Sequence, residues 1–527
     1  MEFKNLKQLE KATSSTQEEL VRVGLAFIFI MGIGAFFLFA LKGGDQTYIL
    51  MFAAMIGGYM AINIGANDVA NNVGPAVGSQ AMTLVGALLI AAIFESAGAL
   101  IAGGDVTGTI KNGIISPAGI GDSDTFIWLM LAALLAGALW LNLATWLGAP
   151  VSTTHSIVGG VLGAGIAAGG FAVANWSKMG AIVASWIISP LLGGAIAALF
   201  LYFIKRMIIT RPNMIESAKK YVPLLIAIMA WAFATYLIMK GLKHIWKPSV
   251  TTAMITGLLI AIGIWVFVRP MIGKTADQSA ALTDKKEQRK AVNGLFTIPL
   301  IFAAALLSFA HGANDVANAV GPLAAINDAV VSHHISEKAA IPLWVMMVGA
   351  LGLSVGLILF GPKLIKTVGS EITELDKTRA FCIALSAAIT VIVASQLGLP
   401  VSSTHIAVGG VFGVGFLREY LKLSYAEQLH SILDHHEGEE RIKLERFLKN
   451  FKHASVEDMH HMLEEAKSHK EEWQFSKQDR KQLKRVYKEE LVKRSAVKKI
   501  VAAWIITVPV SGSLAAALFF AIQAITR

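Results

Sequence analysis

Runs of about 20 apolar residues recur along the chain, and that length matches the hydrocarbon core of a bilayer. Thirteen such segments stand near 20–41, 47–65, 80–103, 124–148, 151–175, 178–204, 221–243, 250–269, 295–312, 340–360, 378–398, 400–417 and 498–523. Each predicts a helix, because a lipid-exposed backbone must satisfy its hydrogen bonds internally. Some of the thirteen are expected to be half-helices or re-entrant pieces. The pattern changes at 418–499, where Lys, Glu and His dominate and apolar residues recur at helical spacing (Ile442, Leu444, Phe447, Leu448, Phe451). This stretch reads as a soluble helical insertion. Seven of the thirteen histidines lie in it, at no spacing diagnostic of a metal site.

Composition agrees with a membrane protein. The chain has 527 residues, 55% hydrophobic and only 16% charged, with a mean hydropathy of +0.59. A soluble domain carries about 25% charged residues. The net charge of +10 does not imply nucleic acid, since the basic residues sit in loops between apolar runs. Cys382 is the single cysteine, so no intrachain disulfide forms. Nineteen mostly polar residues precede the first apolar run, which reads as a span and not as a cleaved signal.

The chain repeats itself. Residues 65–75 read GANDVANNVGP and residues 312–322 read GANDVANAVGP, identical at ten of eleven positions. PVSTTH at 150–155 returns as PVSSTH at 400–405, and each continues to Val-Gly-Gly. Asp68 precedes His155 by 87 residues, and Asp315 precedes His405 by 90. Two matched motifs in one order indicate an internal duplication. The copies of the first motif lie seven segments apart, an odd offset that predicts opposite directions through the membrane. The expected fold is therefore all-α: a polytopic membrane protein of two inverted-topology repeats with discontinuous helices, plus the soluble insertion.

Loop charge orients the chain. Lys205, Arg206, Arg211, Lys219 and Lys220 share a side with Lys274, Lys285, Lys286, Arg289 and Lys290, and by the positive-inside rule that side is cytoplasmic. The expected organisation is a cytoplasmic N-terminal segment (1–19), a first transmembrane repeat (20–204) and a linker with one transmembrane helix (205–249). A second repeat (250–417), the cytoplasmic insertion (418–497) and a final transmembrane helix (498–527) follow. The expected location is the plasma membrane, the inner membrane in a bacterium.

Asn67, Asp68 and Asn71 fall within about 100° of one another on a helix, and Asn314, Asp315 and Asn318 repeat the arrangement. A carboxylate with two amides offers hard oxygen ligands to a small cation such as Na+, and an intramembrane carboxylate is functional by default. Gly65, Gly74, Pro75, Gly312, Gly321 and Pro322 are expected to break these helices and free backbone carbonyls. In the second motif, proline is expected in the first helical turn. The residues after it then offer free N–H groups and the positive end of the helix dipole to an anion. Ser152, Thr153, Thr154, Ser402, Ser403 and Thr404 add hydroxyls, with Asn71 and Asn318 close by. His155 and His405 end these motifs; they are candidates to bind the anion or relay protons, and satisfaction by a nearby carbonyl is the preferred expectation. Glu95 is a further intramembrane carboxylate, a candidate cation ligand or proton carrier, without a counterpart in 340–360.

The paired GANDVAN and P-V-S-[ST]-T-H motifs resemble those of the PiT family of inorganic phosphate transporters, over both membrane halves. The resemblance implies phosphate symport with Na+ or H+, no enzymatic activity, no cofactor beyond the coupling ion, and a homodimer in the bilayer. It matches Asp68, Asp315 and Glu95 to functional carboxylates. Two departures stand out. Asn63-Ile64-Gly65 faces Ala310-His311-Gly312, and Ala384 occupies a position where many relatives carry glutamate. The alternatives are a sulfate permease of the same fold, a membrane sensor signalling through the insertion, and an intramembrane hydrolase using Ser152 or Ser402 with His155 or His405. The hydrolase lacks a third orienting group in its motif.

Overall fold

A computed structural model describes residues 2–40, 45–147, 151–241, 248–279, 281–333, 341–371, 375–421, 447, 450 and 494–526. Nearly all of these residues are helical. The chain runs α1 (Glu2–Ala40), α2 (Asp45–Gly78), α3 (Leu84–Ala102), the short α4 (Gly104–Asn112), α5 (Ser123–Trp146), α6 (Thr153–Gly169) and α7 (Trp176–Ile204). Then come α8 (Met214–Gly241), α9 (Val250–Asp277), α10 (Lys285–Leu295), α11 (Thr297–Asp315), α12 (Ala317–Ser332), α13 (Leu343–Glu371), α14 (Lys377–Gln396), α15 (Ser403–Leu421) and α16 (Arg494–Thr526). Most of the insertion expected at 418–497 lies outside the described residues.

Eleven helical stretches among the described residues are long and apolar enough to cross a membrane. The two remaining segments of the expected thirteen are α6 and α15, the helices that begin in the PVS motifs. Both are buried by protein along their first turns. They are the second arms of hairpins, α5–α6 and α14–α15. The base of the first hairpin is closed: Ser116 N–H donates to the Val173 carbonyl at 2.7 Å and Asn175 N–H to that of Ile114 at 2.9 Å. The α5–α6 unit thus leaves and rejoins the structure at one level, with its motif at the tip.

The duplication is visible in how the halves pack. Helix α2 lies on α13, and α11 lies on α3. A β-carbon on Gly65 would fall 2.0 Å from the Leu353 carbonyl oxygen, and one on Gly312 would fall 2.1 Å from that of Glu95. The same relation joins α6 to α16 through Gly163 and Gly512, and α15 to α7 through Gly413 and Gly194. In lipid, where no hydrophobic force drives helices together, such close backbone approach is what holds them. Helices α3 and α13 meet at Ser96 and Ser354, 2.6 Å apart; Ser96 also donates to the Ala350 carbonyl and Ser354 to that of Ala92.

Two expectations need correction. The GANDVAN motif does not break its helix: α2 runs unbroken for 34 residues through Gly65, Gly74 and Pro75. In the other copy only Val316 separates α11 from α12, and it keeps right-handed helical dihedrals. Gly65, Gly312 and Gly321 serve close packing, and the backbone carbonyls remain largely inside the ladder. Nor does proline open the motif helices. Ser152 is the N-cap of α6, with Thr153 first in the helix, and Pro400 precedes α15 by three residues.

Candidate functional site between the hairpin tips

The buried polar side chains converge where the two hairpin tips meet α2, α11 and α12. Each motif helix is anchored to its own hairpin by its first asparagine. Asn67 Nδ2 donates to Thr145 Oγ1 on α5 at 3.0 Å, and Asn314 Nδ2 donates to Ser395 Oγ on α14 at 2.9 Å. Asn314 also grips the second tip, donating to the Leu399 carbonyl and accepting from Val401 N–H. The second asparagine reaches the opposite repeat. Asn71 Nδ2 donates to Thr404 Oγ1 at 2.9 Å, while Asn318 Nδ2 lies 3.2 Å from both Thr153 Oγ1 and Thr154 Oγ1. Of the aspartates, Asp68 also reaches the opposite repeat, accepting from Thr404 Oγ1 at 2.8 Å, whereas Asp315 accepts from Ser403 Oγ of its own repeat at 3.0 Å. Thr154 donates to the Val401 carbonyl and links the tips directly.

Of the expected anion donors, Ser152 and Ser402 have a second task. Their Oγ atoms accept the backbone N–H of His155 and His405, capping α6 and α15. His155 and His405 pack ring against ring, 4.5 Å between centroids. Glu95 stands apart from the tip hydroxyls and joins the site through Asn72, which donates to Oε1 at 2.7 Å.

The sequence reading passed over His311. Its imidazole is fully buried, with Nε2 3.0 Å from Asp315 Oδ2 and 3.8 Å from Asp68 Oδ2, and Nδ1 3.3 Å from Glu95 Oε1. Asp68, His311 and Asp315 each bring one ligand atom within 4.8 Å of the others. The signal was present: His311 precedes Asp315 by four residues and so shares its helix face. Asn72 was also missed, although it is the one position at which the two eleven-residue motifs differ.

Several buried acceptors here find no hydrogen-bond donor among the described residues, among them Asn67 Oδ1, Asp68 Oδ2, Asp315 Oδ1 and Asn318 Oδ1. Buried oxygens of this kind are costly unless paired. Hard oxygens around two carboxylates fit a small cation, and the helix starts of α6 and α15 beside them fit an anion.

A model of the phosphate transporter family matches residues 64–515. The chain belongs to the phosphate transporter family. It is a multi-pass membrane transporter and not an enzyme. A Helicobacter pylori protein that carries a phosphate permease name is 51% identical over 537 residues, covering all of both chains. A similarly named protein of Haemophilus influenzae is 40% identical over 376 residues, covering 71% of this chain and 89% of its own. A solved structure titled as the sodium-dependent phosphate transporter matches with a TM-score of 0.73 and 30% identity, over 91% of this chain and all of its own.

Proposed function

We propose that the chain is a secondary active transporter that imports inorganic phosphate in symport with Na+ across the plasma membrane. The observation that carries this reading is the meeting of both repeats in one buried polar cluster: Asp68 and Asn71 with Thr404, and Asn318 with Thr153 and Thr154. Two carboxylates beside an anion site repel the anion until a cation neutralises them, so cation and anion bind together. In this reading Asn67, Asp68, Asn314, Asp315 and Glu95 serve the cation. Ser152, Thr153, Thr154, Ser402, Ser403, Thr404, Asn71 and Asn318 serve the phosphate. Na+ is preferred over H+ because the similar solved structure is titled sodium-dependent.

The repeats are proposed to be inverted, and parity supports this. Between α2 and α11 the α5–α6 hairpin returns to its own level, so it leaves direction unchanged whether it crosses twice or dips and returns. Helices α3, α7, α8 and α9 are the other four spans between them, an even count that supports opposite directions for α2 and α11. Rocking of one hairpin unit against the other then opens the pocket to each side in turn.

The test is uptake of ³²P-phosphate into liposomes holding the purified protein, first under an imposed Na+ gradient at fixed pH, then under an H+ gradient without Na+. Uptake that follows the Na+ gradient and ignores excess sulfate is expected. Uptake of sulfate in its place would overturn the substrate, and uptake under the H+ gradient alone would overturn the cation.

A further inference from the structure

Four rings stand in a column across the junction of the two hairpins. His155 packs 3.8 Å from Trp186, centroid to centroid, and meets His405 edge to face at 4.5 Å; His405 stacks on Trp504 at 3.5 Å with 26° between planes. The column therefore runs from α7 through the tips of α6 and α15 to α16. Its inner rings are buried, with His155 5% and His405 1% exposed.

Both halves of the column are built from repeated sequence. The histidines close the two PVS motifs. The tryptophans lie in a third matched pair, Ala184-Ser185-Trp186-Ile187-Ile188-Ser189 and Ala502-Ala503-Trp504-Ile505-Ile506-Thr507. Trp186 also donates its indole N–H to the Pro400 carbonyl at 3.1 Å, which ties repeat one to the tip of repeat two. Each histidine is the third residue of its helix. Fixing its ring fixes the first turn, and that turn carries the N–H groups and hydroxyls aimed at the pocket.

We infer that Trp186 and Trp504, acting through His155 and His405, are positioning residues whose ring column sets the register of the two hairpin tips and thereby the geometry of the anion pocket. This rests on the phosphate-transport reading. The histidines act through shape and stacking, so at His155 and His405 the ring matters and its nitrogens do not, while Trp186 adds its indole bond to the Pro400 carbonyl. A residue that merely filled space would change how much protein folds. A positioning residue changes the affinity of what folds.

The experiment compares the full-length wild type with H155F, H405F, H155A, H405A, W186A and W504A in liposomes, with uptake per folded protein measured against phosphate concentration. Loss of an aromatic contact is expected to raise the KM for phosphate roughly two- to tenfold, with maximal rate held within about twofold. The phenylalanine variants, which keep a ring, are expected to stay within about twofold of the wild-type KM. If an alanine variant fails to accumulate, Trp186→Phe and Trp504→Phe replace it, and the smaller ring is expected to raise KM about twofold. Wild-type KM in folded ring-deleted variants overturns the inference, and so does loss of uptake in H155F or H405F equal to that of the alanine variants. A wild type that moves no phosphate sinks the transport reading and this inference with it. A wild type that transports, beside indifferent ring variants, sinks the inference alone.

Discussion

Asn72 Nδ2 donates to Glu95 Oε1 at 2.7 Å, and the equivalents of these two residues in the other repeat are Ala319 and Leu353. The equivalence follows from the motif alignment and from the glycine contacts, in which Gly312 meets the Glu95 backbone as Gly65 meets that of Leu353. His311, 3.3 Å from the same Glu95 oxygen, has Ile64 as its counterpart. Three differences scattered through the sequence are thus one feature in space. One of the two equivalent contacts between the repeats holds a polar trio, Asn72, Glu95 and His311. The other holds Ile64, Ala319 and Leu353, all fully or nearly fully buried in one apolar cluster. Each trio is self-consistent, because a buried amide or imidazole needs a partner and an apolar side chain needs none.

This predicts the result of a stability cycle. Glu95→Leu alone strands Asn72 and His311 against an apolar side chain, at about 1–3 kcal/mol for each unpaired buried group. The triple variant N72A/E95L/H311I copies the apolar contact, and Asp315, which loses His311, keeps its bond from Ser403 Oγ. Its melting temperature in detergent is expected to recover at least half of what E95L loses, while phosphate uptake stays impaired. A triple variant no more stable than E95L would show that the trio does not act as a unit.

The packing glycines give a second prediction. Ala at Gly65 or Gly312 places a β-carbon about 2 Å from a backbone oxygen, and a backbone yields less than a flexible side chain. Both substitutions are expected to cost at least about 1–3 kcal/mol and to lower the folded yield in size-exclusion profiles. Gly104 and Gly108, on α4, have open space where a β-carbon would go, so Ala there is expected to be neutral or stabilising. Equal behaviour of the two pairs would refute the close approach of α2 to α13 and of α11 to α3.

Much of this was legible in the sequence. Apolar run length gave the spans, and identity of the motifs gave the duplication and the pairing of Asp68 with Asp315. The errors came from reading Gly and Pro as helix breakers. Inside a bundle whose helices touch backbone to backbone, Gly65 and Gly312 are contact residues, and α2 continues through Pro75. His311 was passed over because it broke the repeat, and Trp186 because Trp-Ile-Ile looks like ordinary lipid-facing sequence. Their partners lie on other helices, and pattern along one chain does not reveal such contacts.

Thr404 joins the two proposed sites, since it donates to Asp68 at 2.8 Å and accepts from Asn71 at 2.9 Å. Thr404→Val keeps the shape and removes both bonds. A hydrogen bond to a charged group contributes about 1.5–3 kcal/mol, so the Na+ concentration for half-maximal uptake is expected to rise about tenfold or more. Ser403→Ala should do the same through Asp315. Combined with Asp68→Asn, Thr404→Val should add little, because coupled groups are not additive. Full additivity would argue that Thr404 acts on phosphate without Asp68.

The unpaired oxygens of Asn67, Asp68, Asp315 and Asn318 predict that the cation is part of the folded protein's stability. A ligand that binds only the native state stabilises it by about 2.7 kcal/mol at one hundred times its dissociation constant. The melting temperature is therefore expected to be higher in NaCl than in choline chloride of equal ionic strength. Ionic strength alone acts on surface charges, and these oxygens are buried, so the difference isolates the site. Phosphate should raise the temperature further in Na+ and have little effect in choline, because without the cation it meets two bare carboxylates. Asp68→Asn and Asp315→Asn should each erase most of the Na+ effect while leaving the melting temperature in choline unchanged or higher, since each relieves the repulsion between the two carboxylates. Identical melting in both salts would place the cation elsewhere and leave those four oxygens unexplained.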